Sequence, residues 1–114
     1  MATTNPALLA FLEQQKAEYR AALPARLATL TSLWAEVQGG TATPATLADL
    51  ERQAHGLAGS AATFGLAPLG LAARAVELGM EPWVTKGPPL DAATLEAVGR
   101  AMTTLLASAR EAGV

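Results

Sequence analysis

The chain has 114 residues, the length of one ordinary domain with a single modest core. It contains no cysteine and one histidine, so disulfides and thiolate metal sites are excluded, and a lone histidine cannot supply the ligand cluster that zinc or iron requires. Eight basic and ten acidic residues give a formal charge of -2, and the arginines are scattered along the chain, which argues against binding to nucleic acid.

The compartment is indicated by what the sequence lacks. The absence of cysteine favours a reducing environment, so we expect a cytoplasmic protein. The first residues, MATTNPALLAFLEQQ, have no basic flank and soon reach Glu13, which is not typical of a secretory signal. The uncharged stretch from Gly56 to Ala73 is near the minimum length of a membrane helix, but its glycines and its striped leucine spacing argue against a membrane span.

The composition predicts helices alone, because alanine and leucine dominate and the prolines stand where helices would begin. In the first segment Asn5 can cap a helix that opens at Pro6 and runs to about Ala22. Its residues at helical spacing are Leu8, Phe11, Leu12, Gln15 and Tyr19. Of these, Leu8, Phe11 and Leu12 are expected to cap the core, with a contribution to an exposed apolar docking patch as the alternative.

Four further helices are predicted, each with apolar residues at steps of three and four. They run from Pro24 to Gly39, from about Pro44 to about Phe64, from about Leu66 to Met80 and from Asp91 to Gly113. Their apolar seams are Leu27, Leu30, Trp34 and Val37; Leu47, Leu50, Ala54, Leu57, Ala61 and Phe64; Leu69, Ala73, Val76 and Met80; and Leu95, Val98, Met102, Leu105 and Ala109.

Capping and breaking residues mark the ends of these helices. Thr43 and Asp91 are natural N-caps, and Gly65 closes the helix before it. The three prolines between Glu81 and Leu90 predict a loop there. The narrow seams and short connections predict an all-α chain, an antiparallel up-down-up-down four-helix bundle with an additional N-terminal helix, as one domain over residues 1–114.

The single histidine, His55, is placed on the flank of the third helix. Because Ala54 and Leu57 point inward, His55 lies about 100° round the helix from the seam and should be at least partly exposed. Gly59, one turn on, costs a helix about 1 kcal/mol relative to alanine, so it needs a reason such as the close approach of another surface. For an arbitrary lone histidine, a solvated ring beside a packing glycine is the usual explanation.

The stretch AHGLAGSAATFGLAPLGLAARAVE resembles the histidine-containing phosphotransfer (HPt) domain family of bacterial two-component phosphorelays. The family pattern is a histidine followed by leucine, lysine, glycine and serine, then a glycine and a leucine, then a Glu or Gln near the middle of the next helix. The matching residues here are His55, Leu57, Gly59, Ser60, Gly65, Leu69 and Glu77. The sequence departs from the pattern at one position, where Ala58 replaces the family's lysine.

The resemblance implies a role for each of these residues. His55 would accept a phosphoryl group, Glu77 would orient the imidazole, and Gly59 would allow a receiver domain to approach closely. The loss of the lysine at Ala58 would affect the speed or stability of phosphorylation. Arg52, one turn before His55, is a possible substitute, since a guanidinium can contact phosphate oxygens.

Two of these assignments have alternatives within the chain itself. Arg52 can pair with Asp49 at i,i+3 or simply be solvated, and Glu77 can be a surface carboxylate paired with Arg74 three residues earlier.

The resemblance also implies the partners. A receiver domain of a response regulator would supply the aspartate, the Mg²⁺ ion and a lysine, while this chain would hold no cofactor or metal. The protein would be a monomeric phosphoryl carrier, not an autonomous kinase, and would exchange phosphate with receivers and a hybrid histidine kinase.

Three other functions compete with this one. A degenerate HPt-like module would bind a receiver or another partner without being phosphorylated, and Ala58 is its best support. A small hydrolase would use His55 as a general base with Ser60 or Thr63, although Ser60 lies about 140° round the helix from His55. A purely structural bundle would bury His55 in its core.

Overall fold

The computed structural model describes residues 5–87 and 90–114, and these form helices with no strand among them. The helices are α1 (Pro6–Gln38), α2 (Pro44–Ser60), a 3-10 turn (Ala62–Phe64), α3 (Ala67–Lys86) and α4 (Ala92–Glu111). The all-α class predicted from the composition is therefore confirmed. No helix in the described part of the chain is long and apolar enough to cross a bilayer.

The four helices pack as an antiparallel bundle, and the contacts that α1 makes with α2 and α4 illustrate this arrangement. Tyr19 near the middle of α1 meets Ser60 at the end of α2, whereas the short connection joins the end of α1 to the start of α2. The end of α4 returns to α1, where Arg20 donates a hydrogen bond to the carbonyl of Ala112, and Gly99 lies against Trp34. The core is made by the apolar seams that face one another inside this ring of helices.

The predicted boundary at Pro24 is wrong, because α1 runs through it without a break. The separate N-terminal helix and the first bundle helix are therefore one helix of 33 residues. A proline inside a helix removes one backbone hydrogen bond and crowds the preceding turn, at a cost of about 3 kcal/mol. Leu23 and Leu27 on either side of Pro24 are buried in the same seam, and this burial holds the helix together across the proline.

The first turns of α1 extend beyond the bundle. Leu8, Leu9, Phe11 and Leu12 are each between 45 and 55% exposed, and the first fully buried residue of the helix is Leu23. The expectation that Leu8, Phe11 and Leu12 cap the core is therefore wrong.

The predicted loop from Glu81 to Leu90 is wrong for most of its length, because α3 continues through Pro82 to Lys86. Trp83 is buried one turn after Met80, so the core extends along α3 past the proline. Gly87 then ends the helix with a positive φ of 73°. Pro88 and Pro89 lie outside the described residues.

The capping residues are confirmed by their hydrogen bonds. The side chain of Asn5 accepts from the amide of Ala7, and Thr43 forms a reciprocal capping box with Thr46. Asp91 accepts from the hydroxyl and the amide of Thr94, and these bonds lower the pKa of the Asp91 carboxyl. A depressed folded-state pKa means that this cap contributes stability above its unfolded-state pKa and loses that contribution as the pH falls through the folded value.

Replacing Pro24 tests whether α1 is one helix. In a continuous helix Pro24→Ala restores a backbone hydrogen bond, so we expect the free energy of unfolding to rise by roughly 1–3 kcal/mol in urea denaturation. Pro6→Ala is the matched control, because proline is well suited to the first helical position and its removal gains no hydrogen bond. A loss of stability in Pro24→Ala would instead place the start of a separate helix at Pro24.

Candidate functional site

The imidazole of His55 stands on the surface of α2. Its neighbours Ala54 and Leu57 are fully buried, whereas the His55 side chain is 67% exposed. The ring is therefore outside the core, as the angular position on the helix predicts. The purely structural alternative required a buried histidine, and the structure contradicts it.

Glu77 reaches His55 from the facing helix α3. Its carboxylate oxygen Oε2 accepts a hydrogen bond from Nδ1 of the imidazole, and its side chain is 15% exposed. A carboxylate can only accept, so this contact assigns the ring proton to Nδ1. The other ring nitrogen, Nε2, then keeps its lone pair, and no hydrogen bond to it is found from the described residues.

The second oxygen of Glu77 faces Arg74, one turn earlier on α3. The distance from Nη1 of Arg74 to Oε1 is 3.6 Å, an ion pair that is too long to be a hydrogen bond. Oε1 is itself buried, and no group of the described residues donates a hydrogen bond to it. Glu77 therefore makes both of the contacts considered for it from the sequence. One carboxylate oxygen contacts the imidazole of His55, and the other faces the guanidinium of Arg74.

Arg52 is not brought to His55. Its Nη2 lies 2.6 Å from Oδ1 of Asp49, and its side chain is 73% exposed. This is the pairing within α2 that the sequence left open as the alternative to phosphate binding. The guanidinium is therefore directed toward the preceding turn of the helix.

Small residues surround the ring on the side of the following turn. Ala58 is half-buried and forms part of a shallow depression of about 240 Å³ between α2 and α3. Its other lining residues are Ala62, Ala67, Gly70, Leu71 and Arg74. A Cβ on Gly59 would meet no heavy atom within 4 Å, so no packing within this chain requires a glycine there. The glycine keeps the surface beside His55 low and open.

Ser60 is occupied on the opposite side of α2. Its hydroxyl donates to the carbonyl of Gly56 at 2.7 Å and lies 2.8 Å from the hydroxyl of Tyr19 on α1. The ring of Tyr19 stacks on Phe64 at 4.4 Å between centroids, which fixes this cluster. Ser60 therefore has no path to the imidazole, and the hydrolase alternative loses its best nucleophile.

Two exposed leucines on α3 were not identified from the sequence. Leu71 and Leu78 are 74% and 57% exposed, and Leu71 lines the depression beside Ala58. The sequence signal for both is that they fall outside the apolar seam of α3 formed by Leu69, Ala73, Val76 and Met80. Within the described residues, no cluster of three or more acidic or histidine side chains could hold a metal ion.

Comparison with known proteins identifies the family. The model of the Hpt domain matches residues 14–112. No curated protein and no solved structure matches the chain. Since the match covers most of its length, the chain belongs to the Hpt domain family. An Hpt domain is a histidine phosphotransfer module of phosphorelays that interacts with receiver domains and kinases.

The proton assignment can be checked in solution. In the neutral ring of the wild type we expect the proton on Nδ1, because Glu77 accepts it, and long-range ¹H–¹⁵N correlation of the imidazole reports this directly. In Glu77→Ala both tautomers should become populated. Glu81→Ala, one turn along α3, is the control and should leave the spectrum unchanged; a wild-type ring protonated mainly on Nε2 would contradict the assignment.

Proposed function

We propose that this chain is a phosphoryl carrier that accepts a phosphoryl group on His55 from a phospho-aspartate of a receiver domain and passes it to another receiver. The observation that carries the proposal is the exposed imidazole of His55, whose Nδ1 donates a hydrogen bond to the Glu77 carboxylate. The histidine is the single one in the chain, and it lies within the segment that matches the Hpt domain.

The chemistry follows from which nitrogen is free. The lone pair of Nε2 attacks phosphorus, the bond from phosphorus to the aspartate oxygen breaks, and its electron pair leaves with the aspartate carboxylate. The proton stays on Nδ1, so the phosphorylated ring carries a positive charge. The Glu77 carboxylate stabilises this charge and holds the ring in place, as orienting carboxylates do for other histidines.

Most of the catalytic apparatus comes from the partner in this proposal. In-line transfer needs charge neutralisation on the phosphoryl oxygens, usually by Mg²⁺ and a lysine. We assign both to the receiver domain, with no cofactor bound by this chain. The low surface at Ala58 and Gly59 supports such an approach, because a receiver's active site can descend onto the imidazole without a collision.

The source of phosphate, the oligomeric state and the cellular compartment are also part of the proposal. A hybrid histidine kinase is the proposed source of phosphate, and a monomer in the cytoplasm without nucleic acid as a partner is the proposed state. The carrier acts on receivers and does not phosphorylate itself. The degenerate module, which binds without being phosphorylated, is the second candidate, and the alanine at position 58 favours it.

Phosphotransfer separates the two candidates. When the protein is incubated with phosphorylated receivers from a panel, we expect the wild type to gain an acid-labile, alkali-stable phosphoramidate. His55→Gln should gain none, although it still binds the receiver. A wild type that binds phosphorylated receivers and is never labelled by any of them would instead identify the degenerate module.

Docking is tested at Gly59. Because a Cβ there meets nothing within this chain, Gly59→Leu should fold normally, while its side chain stands where the receiver must approach. We expect the receiver's affinity to fall by about tenfold or more, as at a central interface residue, measured by titration calorimetry. Thr103→Leu, at an exposed position on α4, is the matched control. Unchanged affinity in Gly59→Leu would rule out this docking surface.

A further inference from the structure

We propose that Arg74 supplies the cation that contacts the phosphoryl group on His55, in place of the lysine that Ala58 replaces. This inference rests on the proposed function. It concerns the reactive site itself, because Arg74 would touch the transferred group directly.

The position of Arg74 meets the geometric requirement. Arg74 and Ala58 line the same depression between α2 and α3, so the guanidinium lies across from the position that has lost its lysine. Its Nη1 is 3.6 Å from Oε1 of Glu77, and the other oxygen of that carboxylate holds the imidazole. The guanidinium is thus separated from the His55 ring by the width of one carboxylate.

The contacts of Arg74 also leave its guanidinium available to bind a phosphoryl group. Its contact with Glu77 is a loose ion pair without a hydrogen bond, and its side chain is 53% exposed. A phosphoryl group carries more negative charge than a carboxylate and accepts two parallel hydrogen bonds from a guanidinium. When such a group is attached to Nε2, we expect the exposed Arg74 side chain to rotate toward it and to exchange the weak contact for a strong one.

The other two arginines near α2 are already engaged. Arg52 donates a hydrogen bond to Asp49 at 2.6 Å, toward the preceding turn of α2. Arg26 on α1 lies 5.8 Å from the centre of the Tyr19 ring and against the backbone at Gly56. Both are therefore held by neighbours that keep them apart from the depression beside His55.

The charge balance explains why a cation is needed at this place. Transfer brings a phosphoryl group with two negative charges close to the Glu77 carboxylate, while the ring gains one positive charge. Without a further cation the phosphoryl oxygens and the Glu77 carboxylate repel each other across the imidazole ring. The Arg74 guanidinium, which already faces Glu77, reduces this repulsion when it turns to the phosphoryl oxygens, both during transfer and in the phosphorylated product.

The test compares Arg74→Gln with Arg52→Gln in single-turnover transfer from a phosphorylated receiver. We expect Arg74→Gln to lower the maximal rate by roughly tenfold or more, as loss of a contact to a developing charge does, and to shorten the lifetime of the phosphohistidine. The receiver concentration at half-maximal rate should change little. Arg52→Gln should stay within about twofold of the wild type on both measures.

A second variant separates a direct contact from a structural effect. Ala58→Lys returns a cation to the family's position, so adding it to Arg74→Gln should restore most of the rate and the lifetime. Thermal unfolding of each variant confirms that the bundle is intact.

Each outcome distinguishes the inference from the proposed function. A wild type that is never labelled overturns the proposed function. A labelled wild type with an unaffected Arg74→Gln, with a loss confined to the half-maximal concentration, or with no rescue by Ala58→Lys overturns the role of Arg74 and leaves the carrier function standing.

Discussion

The contact between His55 and Glu77 depends on how closely α2 and α3 approach each other. These two helices pack more extensively than any other pair in the bundle, and small residues form their interface near the site. A Cβ on Gly70 would already be in van der Waals contact with Cβ of Ala61, at 3.4 Å, so the two backbones lie close together there. Because the backbones come so near, a carboxylate on one helix reaches an imidazole on the surface of the other.

The site concentrates its few charges on one edge of this helix pair. Glu77 lies between the imidazole of His55 and the guanidinium of Arg74, and it is largely withdrawn from solvent while both of its neighbours are exposed. The chain thus presents a nucleophilic nitrogen on an open surface, backed by a fixed carboxylate.

Much of the bundle could be predicted from the sequence because the apolar seams repeat at helical spacing, and nearly all of their residues are buried. Phe64 and Leu95 are only half-buried, since each lies near the end of its helix. The two wrong helix boundaries concern prolines: Pro24 and Pro82 disfavour a helix locally, but the burial of Leu23, Leu27 and Trp83 outweighs that preference. Burial on both sides of a proline is a tertiary effect that local signals do not contain.

The site too could be predicted only in part from the sequence. The exposure of His55 followed from helix geometry, and Glu77 followed from the family resemblance, because residues on different helices cannot be paired from periodicity alone. Which arginine faces the site depends on side-chain rotation, which the sequence does not specify. Arg52 lies three residues from His55 and Arg74 three residues from Glu77. The structure shows Arg52 paired with Asp49 and Arg74 facing Glu77.

In the proposed reaction Nε2 of His55 is the nitrogen that reacts, since Glu77 retains the proton on Nδ1. The most direct measurement is ³¹P and ¹⁵N NMR of the ¹⁵N-histidine-labelled protein after incubation with a phosphorylated receiver. We predict a single phosphoramidate signal coupled to Nε2 of the one histidine. A phosphoryl group on Nδ1, or receiver turnover with phosphate lost to water and no phosphoramidate formed, would contradict it.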